Sequence, residues 1–281
     1  MIAANTAAAY TVCRSGWREH LDLELLDLLD ARGKPIARVP VVDGWLQLDA
    51  VVKRVPDADE ERVLFAQFAA LRDARGGGDW FFVHKPPGLR MRFKLGDDRT
   101  HEVSVILECI SGCRPAWLGN LTFGSFFAQA ELLDARYRAT VDAILGAAAN
   151  ELIDVAMARN GSTSIDAWAN FALHFLEHFI GDRWFAWEAL GRFHRLRSQP
   201  VPGDLQNQAE AARQRTMHDP RGIIQRFTRH SAMQQSAGFG ASIALLQTLN
   251  YIFNMWAVDG IAQNAVLARA RTFSAPELTR R

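Results

Sequence analysis

At 281 residues and 49% hydrophobic, the chain carries enough apolar material to bury a substantial core and fold unaided. Its 32 lysines and arginines balance 31 acidic residues to a net charge of +1 and are scattered along the sequence, which excludes the basic stripe of a general nucleic-acid binder. No apolar run approaches the ~20 residues of a membrane span, and Cys13, Cys109 and Cys113 lack the paired spacing of a zinc site or a disulfide framework.

The N-terminal "MIAANTAAAYTVCRSG" has no basic start followed by an apolar core, so the chain reads as soluble, unexported and cytoplasmic. Between residues 17 and 75, "WREHLDLELLDLLDAR" and "DADEERVLFAQFAALRDARGGG" have apolar spacings of three and four. They predict two amphipathic helices, the second stopped by its glycine run. "PIARVPVVDGWLQLD" between them reads as a loop or short-strand region. Residues 80–84, 89–95 and 101–109 are β-branched or aromatic and read as neighbouring strands, with "PPG" and "GDDRT" as turns. Beyond "RPAWLGNLTFGS" the pattern predicts helices over 125–149, 151–159, 164–180, 183–197, 204–216, 219–231 and 240–272. Ser164 and Asp219-Pro220 supply helix-start signals. The expected fold is α+β: an antiparallel sheet in the N-terminal half packed with a mainly helical C-terminal half, as one compact domain over 1–281.

One stretch stands apart, "GGGDWFFVHKPPGLRMRFKL". A strand through it puts Arg90 and Arg92 on one face and Leu89, Met91 and Phe93 on the other. Two such guanidinium groups form either a wet strand face or a two-armed clamp for a carboxylate or an amide carbonyl, and spacing alone leaves both open. In both readings the arginines are expected without a buried partner.

"WFFVHKPPGLRMRF" resembles the Trp-Phe-Phe, turn, Leu-Arg-x-Arg-Phe signature of the thiopeptide-type bacteriocin biosynthesis domain, which is also the glutamate-elimination domain of class I lanthipeptide dehydratases. "RPAWLGNLTFGSFFAQAELLDARYRATVDAIL" is similar to that family's segment around an aromatic-Gly-Gly turn. The departures matter. Asn120 and Thr122 stand where eliminating members carry Glu and Arg, and "NYIFNMW" keeps Asn254 but has Asn250, Ile252 and Met255 at the His and Arg positions. Elimination needs a base for the α-proton and help for the departing carboxylate, which these changes remove.

The resemblance therefore implies a stand-alone pyridine synthase of thiopeptide and pyritide type. Such an enzyme joins two dehydroalanines of a ribosomally made peptide in a formal aza-[4+2] cycloaddition, with loss of water and the leader peptide. The reaction depends on near-attack positioning, worth ~7–11 kcal/mol, more than on strong acids and bases. The implied catalytic residues are Tyr251, Arg92 and Arg90, with His84, Asn250, Asn254 and Trp117 binding substrate. Tyr251 would polarise the tautomerising amide, or else it packs beside Phe253 and Trp256. The implied partner is the precursor peptide, leader and dehydrated core together, with no nucleic acid and no membrane, and with a homodimer left open. No cofactor or metal is implied, and "RGGGDW" lacks the lysine and following helix of a phosphate loop.

Three rivals remain at this level. The chain could be the elimination partner of a tRNA-glutamate-dependent dehydratase, or a non-catalytic leader-peptide-binding protein. "HFLEH" also matches the H-x-x-E-H arrangement of inverted zinc peptidases through His174, Glu177 and His178. That site needs a third protein ligand, and Glu188, Glu210 and Glu277 are the later glutamates that could supply it.

Overall fold

A computed structural model describes residues 23–29, 35–54, 56–76, 79–85, 88–112, 115–124, 135–157, 165–197, 239–256 and 260–274. The chain divides into two compact units, Met1–Ala130 and Glu131–Arg281. The predicted helices over 204–216 and 219–231, the Ser164 cap, Cys13, Cys113, Glu210 and Glu277 lie outside the described residues.

The first unit holds the antiparallel sheet. Its strands are β1 (Leu23–Leu29), β2 (Pro35–Val42), β3 (Trp45–Val52), β4 (Trp80–Lys85), β5 (Gly88–Lys94) and β6 (Leu118–Gly124). They run in the order β1-β2-β3-β5-β4, with β6 also paired to β3. Asp43 and Gly44 turn β2 into β3 at φ of 50° and 75°, the left-handed pair that a tight hairpin needs and that Asp-Gly adopts cheaply. Beyond that turn β3 is central, with β5 along one edge and β6 along the other.

Helix α1 (Ala58–Ala74) starts at a capping box. The Asp57 carboxylate accepts from the Asp59 and Glu60 amides, and Glu60 accepts from the Asp57 amide. The Arg54 guanidinium pairs with Glu60 and helps hold its carboxyl down at about 2. The helix lays Phe65 and Phe68 on one face of the sheet, where Phe68 meets Trp80 and Phe82 at 5.3 and 4.9 Å between ring centres.

Two sequence expectations in this unit fail for one reason: short apolar runs fit both periods. "LDLELLDLL" contains strand β1 instead of a helix, with Leu26 and Leu28 buried and Leu25 and Asp27 exposed, a period of two. "HEVSVILEC" lies in helix α2 (Arg99–Gly112) instead of a strand, with Val103, Ile106 and Ile110 buried at spacings of three and four. The loop region "PIARVPVVDGWLQLD" is the β2–β3 hairpin, and "LGNLTFG" is β6.

The second unit is helical among its described residues: α3 (Ala135–Met157), α4 (Ile165–Ile180), α5 (Arg183–Arg197), α6 (Phe239–Met255) and α7 (Gly260–Ser274). Helix α3 runs through Asn150, where the sequence suggested a break. The expected helix over 240–272 is two helices. Its core joins Trp168 of α4 to Phe253 of α6 and to Trp256, both at 5.7 Å edge to face. Asp166 pairs with Arg269 at 2.7 Å, and the Trp187 indole donates to the Arg271 carbonyl at 3.2 Å, which tie α4 and α5 to α7. No described helix is long and apolar enough to cross a membrane.

Candidate functional site: the arginine face of the sheet

Strand β5 alternates as its sequence predicts. Leu89, Met91 and Phe93 are fully buried on the face that carries Trp80 and Phe82, while Arg90 and Arg92 point to the other. Strand register then sets two rows of side chains across four strands. One row runs Phe81, Arg92, Gln47, Gly124 and the next runs Val83, Arg90, Asp49, Thr122.

Hydrogen bonds link the rows. Arg92 Nε donates to Gln47 Oε1 at 2.9 Å, and Gln47 Nε2 donates to both oxygens of Asp49, at 3.0 and 3.1 Å. The carboxamide can face only this way, because a guanidinium only donates and a carboxylate only accepts. Asp49 Oδ1 in turn lies 3.8 Å from Arg90 Nε, an ion-pair distance. The Arg92 guanidinium also sits 5.3 Å over the Phe81 ring, a cation–π contact. Gly124 makes room for the cluster, since a Cβ there would stand 2.4 Å from Asp49 Oδ2 and 2.5 Å from Gln47 Nε2.

Exposure divides the face. Arg92 and Gln47 are 5% and 4% exposed, and Trp45, Phe81 and Val83 beside them are buried. The side chains of Arg90 and Asp49 are about a third exposed, and Thr122 and Asn120 are exposed. The expectation that neither arginine has a buried partner therefore fails for Arg92. A buried guanidinium requires hydrogen-bonded neighbours, and strand alternation supplies Gln47 opposite it.

The other sequence candidates are placed differently. His84 pairs in register with Leu89 and so lies on the face opposite the arginines. It is half-buried, with its Nε2 shielded and without a hydrogen-bond partner among the described residues, and burial pushes its pKa down to about 4. Trp117 is 1% exposed at the turn before β6, where its carbonyl accepts from the Lys53 amide at 2.9 Å. As a substrate-binding group, His84 does not join the arginine face. Tyr251, Asn250 and Asn254 belong to α6 of the second unit. Tyr251 is buried, and Asn254 Oδ1 accepts from the buried Gln263 of α7 at 3.1 Å.

In "HFLEH", Glu177 lies 3.4 Å from His174 Nδ1 and 3.3 Å from Arg183 Nε, while His178 is exposed against the Phe179 ring. Glu188 pairs with Arg192. Among the described residues no group of three His, Cys, Asp or Glu side chains could hold a metal ion. A separate cleft lined by Glu24, Leu26, Asp97, Asp98, Arg99 and Thr100 shares no residue with the arginine face.

Sequence reasoning missed Gln47, Asp49 and Gln263. The signal for the first two was present in "WLQLD", whose polar residues alternate in a strand beside the arginines.

These features define an α+β protein whose antiparallel sheet carries a polar, arginine-centred face and whose second unit is helical among the described residues. No family profile matches the sequence, and no curated protein is similar to it. Among solved structures, the fold is similar to the crystal structure of the tRNA-dependent lantibiotic dehydratase MibB from Microbispora sp. 107891, with a TM-score of 0.50 at 15% identity. The match covers 84% of this chain and 29% of the dehydratase, so the chain spans less than a third of that protein's length. The likeness is one of fold.

Proposed function

We propose that this chain acts on a ribosomally made precursor peptide, as a single elimination-like domain that forms a pyridine ring and closes a macrocycle. The linked Arg92–Gln47–Asp49–Arg90 cluster carries this reading, because it holds donors for carbonyl oxygens on a fold similar to that of a lantibiotic dehydratase. In the proposed reaction the amide before one dehydroalanine is held as its imidic acid. Two carbon–carbon bonds then form to the second dehydroalanine, and aromatisation expels water and the leader peptide as its amide. Arg90 would stabilise charge on a substrate carbonyl, with the buried Arg92 acting through Gln47 to hold the cluster in place, and Tyr251, with Asn250 and Asn254, would polarise the tautomerising amide.

The dehydratase-like fold favours glutamate elimination as the second reading. A single assay separates the two. The purified protein is incubated with a leader-bearing peptide containing two dehydroalanines, and separately with the same peptide carrying a glutamylated serine. Leader amide appearing by mass spectrometry supports cyclisation. Conversion of the glutamylated serine to dehydroalanine, with no leader released, refutes it.

A further inference from the structure

Two arginines on one strand face are suited to a carboxylate, which a guanidinium fork binds with two parallel hydrogen bonds. The structure sets a carboxylate of its own among them. Asp49 stands in register with Arg90, its Oδ1 3.8 Å from Nε. Gln47 donates to both Asp49 oxygens, and Arg92 fixes Gln47 from behind. Gly124 keeps the space in which this carboxylate lies. The holding groups Gln47 and Arg92 are buried, and the groups they hold, Asp49 and Arg90, are accessible.

We propose that Asp49 sets the specificity of the arginine face, excluding free carboxylates and selecting the uncharged amide of a peptide chain. An anion entering beside Arg90 meets a like charge that cannot swing away, and like charges this close are strongly disfavoured. A peptide amide matches both partners: its carbonyl accepts from Arg90, and its N–H donates to Asp49, which as a carboxylate has acceptor capacity beyond the Gln47 bonds. The inference rests on the reading that this face meets the substrate peptide. It narrows that substrate to neutral backbone at the point of contact, as cyclisation requires and as a glutamyl carboxylate would not satisfy.

The test uses glutarate as the carboxylate probe and glutaramide as its uncharged counterpart, titrated by NMR into the full chain. Wild type is expected to bind glutarate no more tightly than glutaramide. Asp49→Asn, which keeps the volume and an acceptor for Gln47, is expected to gain at least tenfold in glutarate affinity, with the gain lost at high salt. Asp49→Glu and Asp49→Gln, matched in size and differing in charge, repeat the comparison should the first variant fold poorly: Glu keeps glutarate out and Gln admits it. Glutarate affinities within twofold across wild type, Asn and Gln, or no measurable glutarate binding by either neutral variant, overturn the proposal. Binding needs no turnover. If the affinity switch appears while the dehydrated peptide is never converted, the selectivity of the face stands and the cyclase reading falls.

Discussion

Replacing each arginine of the sheet face by alanine should have unequal consequences for stability, although the two residues are one alternation apart. Arg92→Ala removes the donor that Gln47 Oε1 meets at 2.9 Å and leaves that oxygen in a residue only 4% exposed. A buried polar group deprived of its partner costs ~1–3 kcal/mol. The lost guanidinium–Phe81 contact adds ~0.5–2 kcal/mol, for a total of roughly 1.5–5 kcal/mol. Arg90→Ala removes an ion pair at 3.8 Å between side chains about a third exposed, which is worth ~0–1 kcal/mol. Urea unfolding followed by tryptophan fluorescence reads both. At a slope of ~2 kcal/mol per molar, the Arg92 variant should lose about 1–2.5 M in midpoint and the Arg90 variant less than about 0.5 M. Equal small losses would show that the Arg92–Gln47 bond contributes nothing net, and the account of this face as an anchored cluster would fail.

A pH titration of stability should reveal His84: its folded pKa of about 4 lies below the ordinary value near 6.5, so the unfolded chain binds more protons between them. Stability is then complete above pH ~6.5 and declines toward pH 4 by at most ~3 kcal/mol, less for a half-buried ring; His84→Leu should flatten that window, and an unchanged profile would refute the assignment. Tyr251→Phe keeps the buried ring and removes the hydroxyl, so it should still bind the dehydrated peptide yet convert it ~10²–10³-fold more slowly; full activity would return Tyr251 to a packing role. Gly124→Ala should displace the ends of Asp49 and Gln47, the side-chain atoms nearest the new Cβ, and reduce turnover by up to ~10²-fold while lowering the urea midpoint by less than Arg92→Ala does, because both arginines are retained. Wild-type turnover in that variant would mean the cluster's position is unimportant.

The motif that reads most clearly in the sequence is also the one built most regularly. In β5 strict alternation sorts Arg90 and Arg92 from Leu89, Met91 and Phe93, and pairing confirms it. Helix α5 is read with its observed limits, because Asp182 caps it and its apolar spacing is unbroken. Runs of a few leucines or valines are ambiguous: Leu23–Leu29 becomes a strand through pairing with β2, a partner that local spacing cannot reveal. The Asp43-Gly44 hairpin is legible from its turn chemistry, yet an apparent helix before it makes the region read as a loop or short-strand region. Asp49 and Gln47 could not be assigned before β3 was known to lie beside β5, since only register sets them opposite Arg90 and Arg92. Tyr251 sits in a helix buried on most of its surface, where periodicity distinguishes no functional side.

The carboxamide of Gln47 gives the arginine face a fixed polarity. A histidine or carboxylic acid in that position could change its proton count, and the chain of bonds could then reverse or break with pH. A carboxamide has no proton to lose in the physiological range, and rotating it would oppose two donors at Arg92 and two acceptors at Asp49. Glutamate would satisfy Arg92 but repel Asp49, and asparagine is one methylene shorter. Glutamine is thus the side chain that insulates a buried cation from an accessible anion while transmitting orientation from one to the other, so the link between them keeps its direction throughout the physiological range.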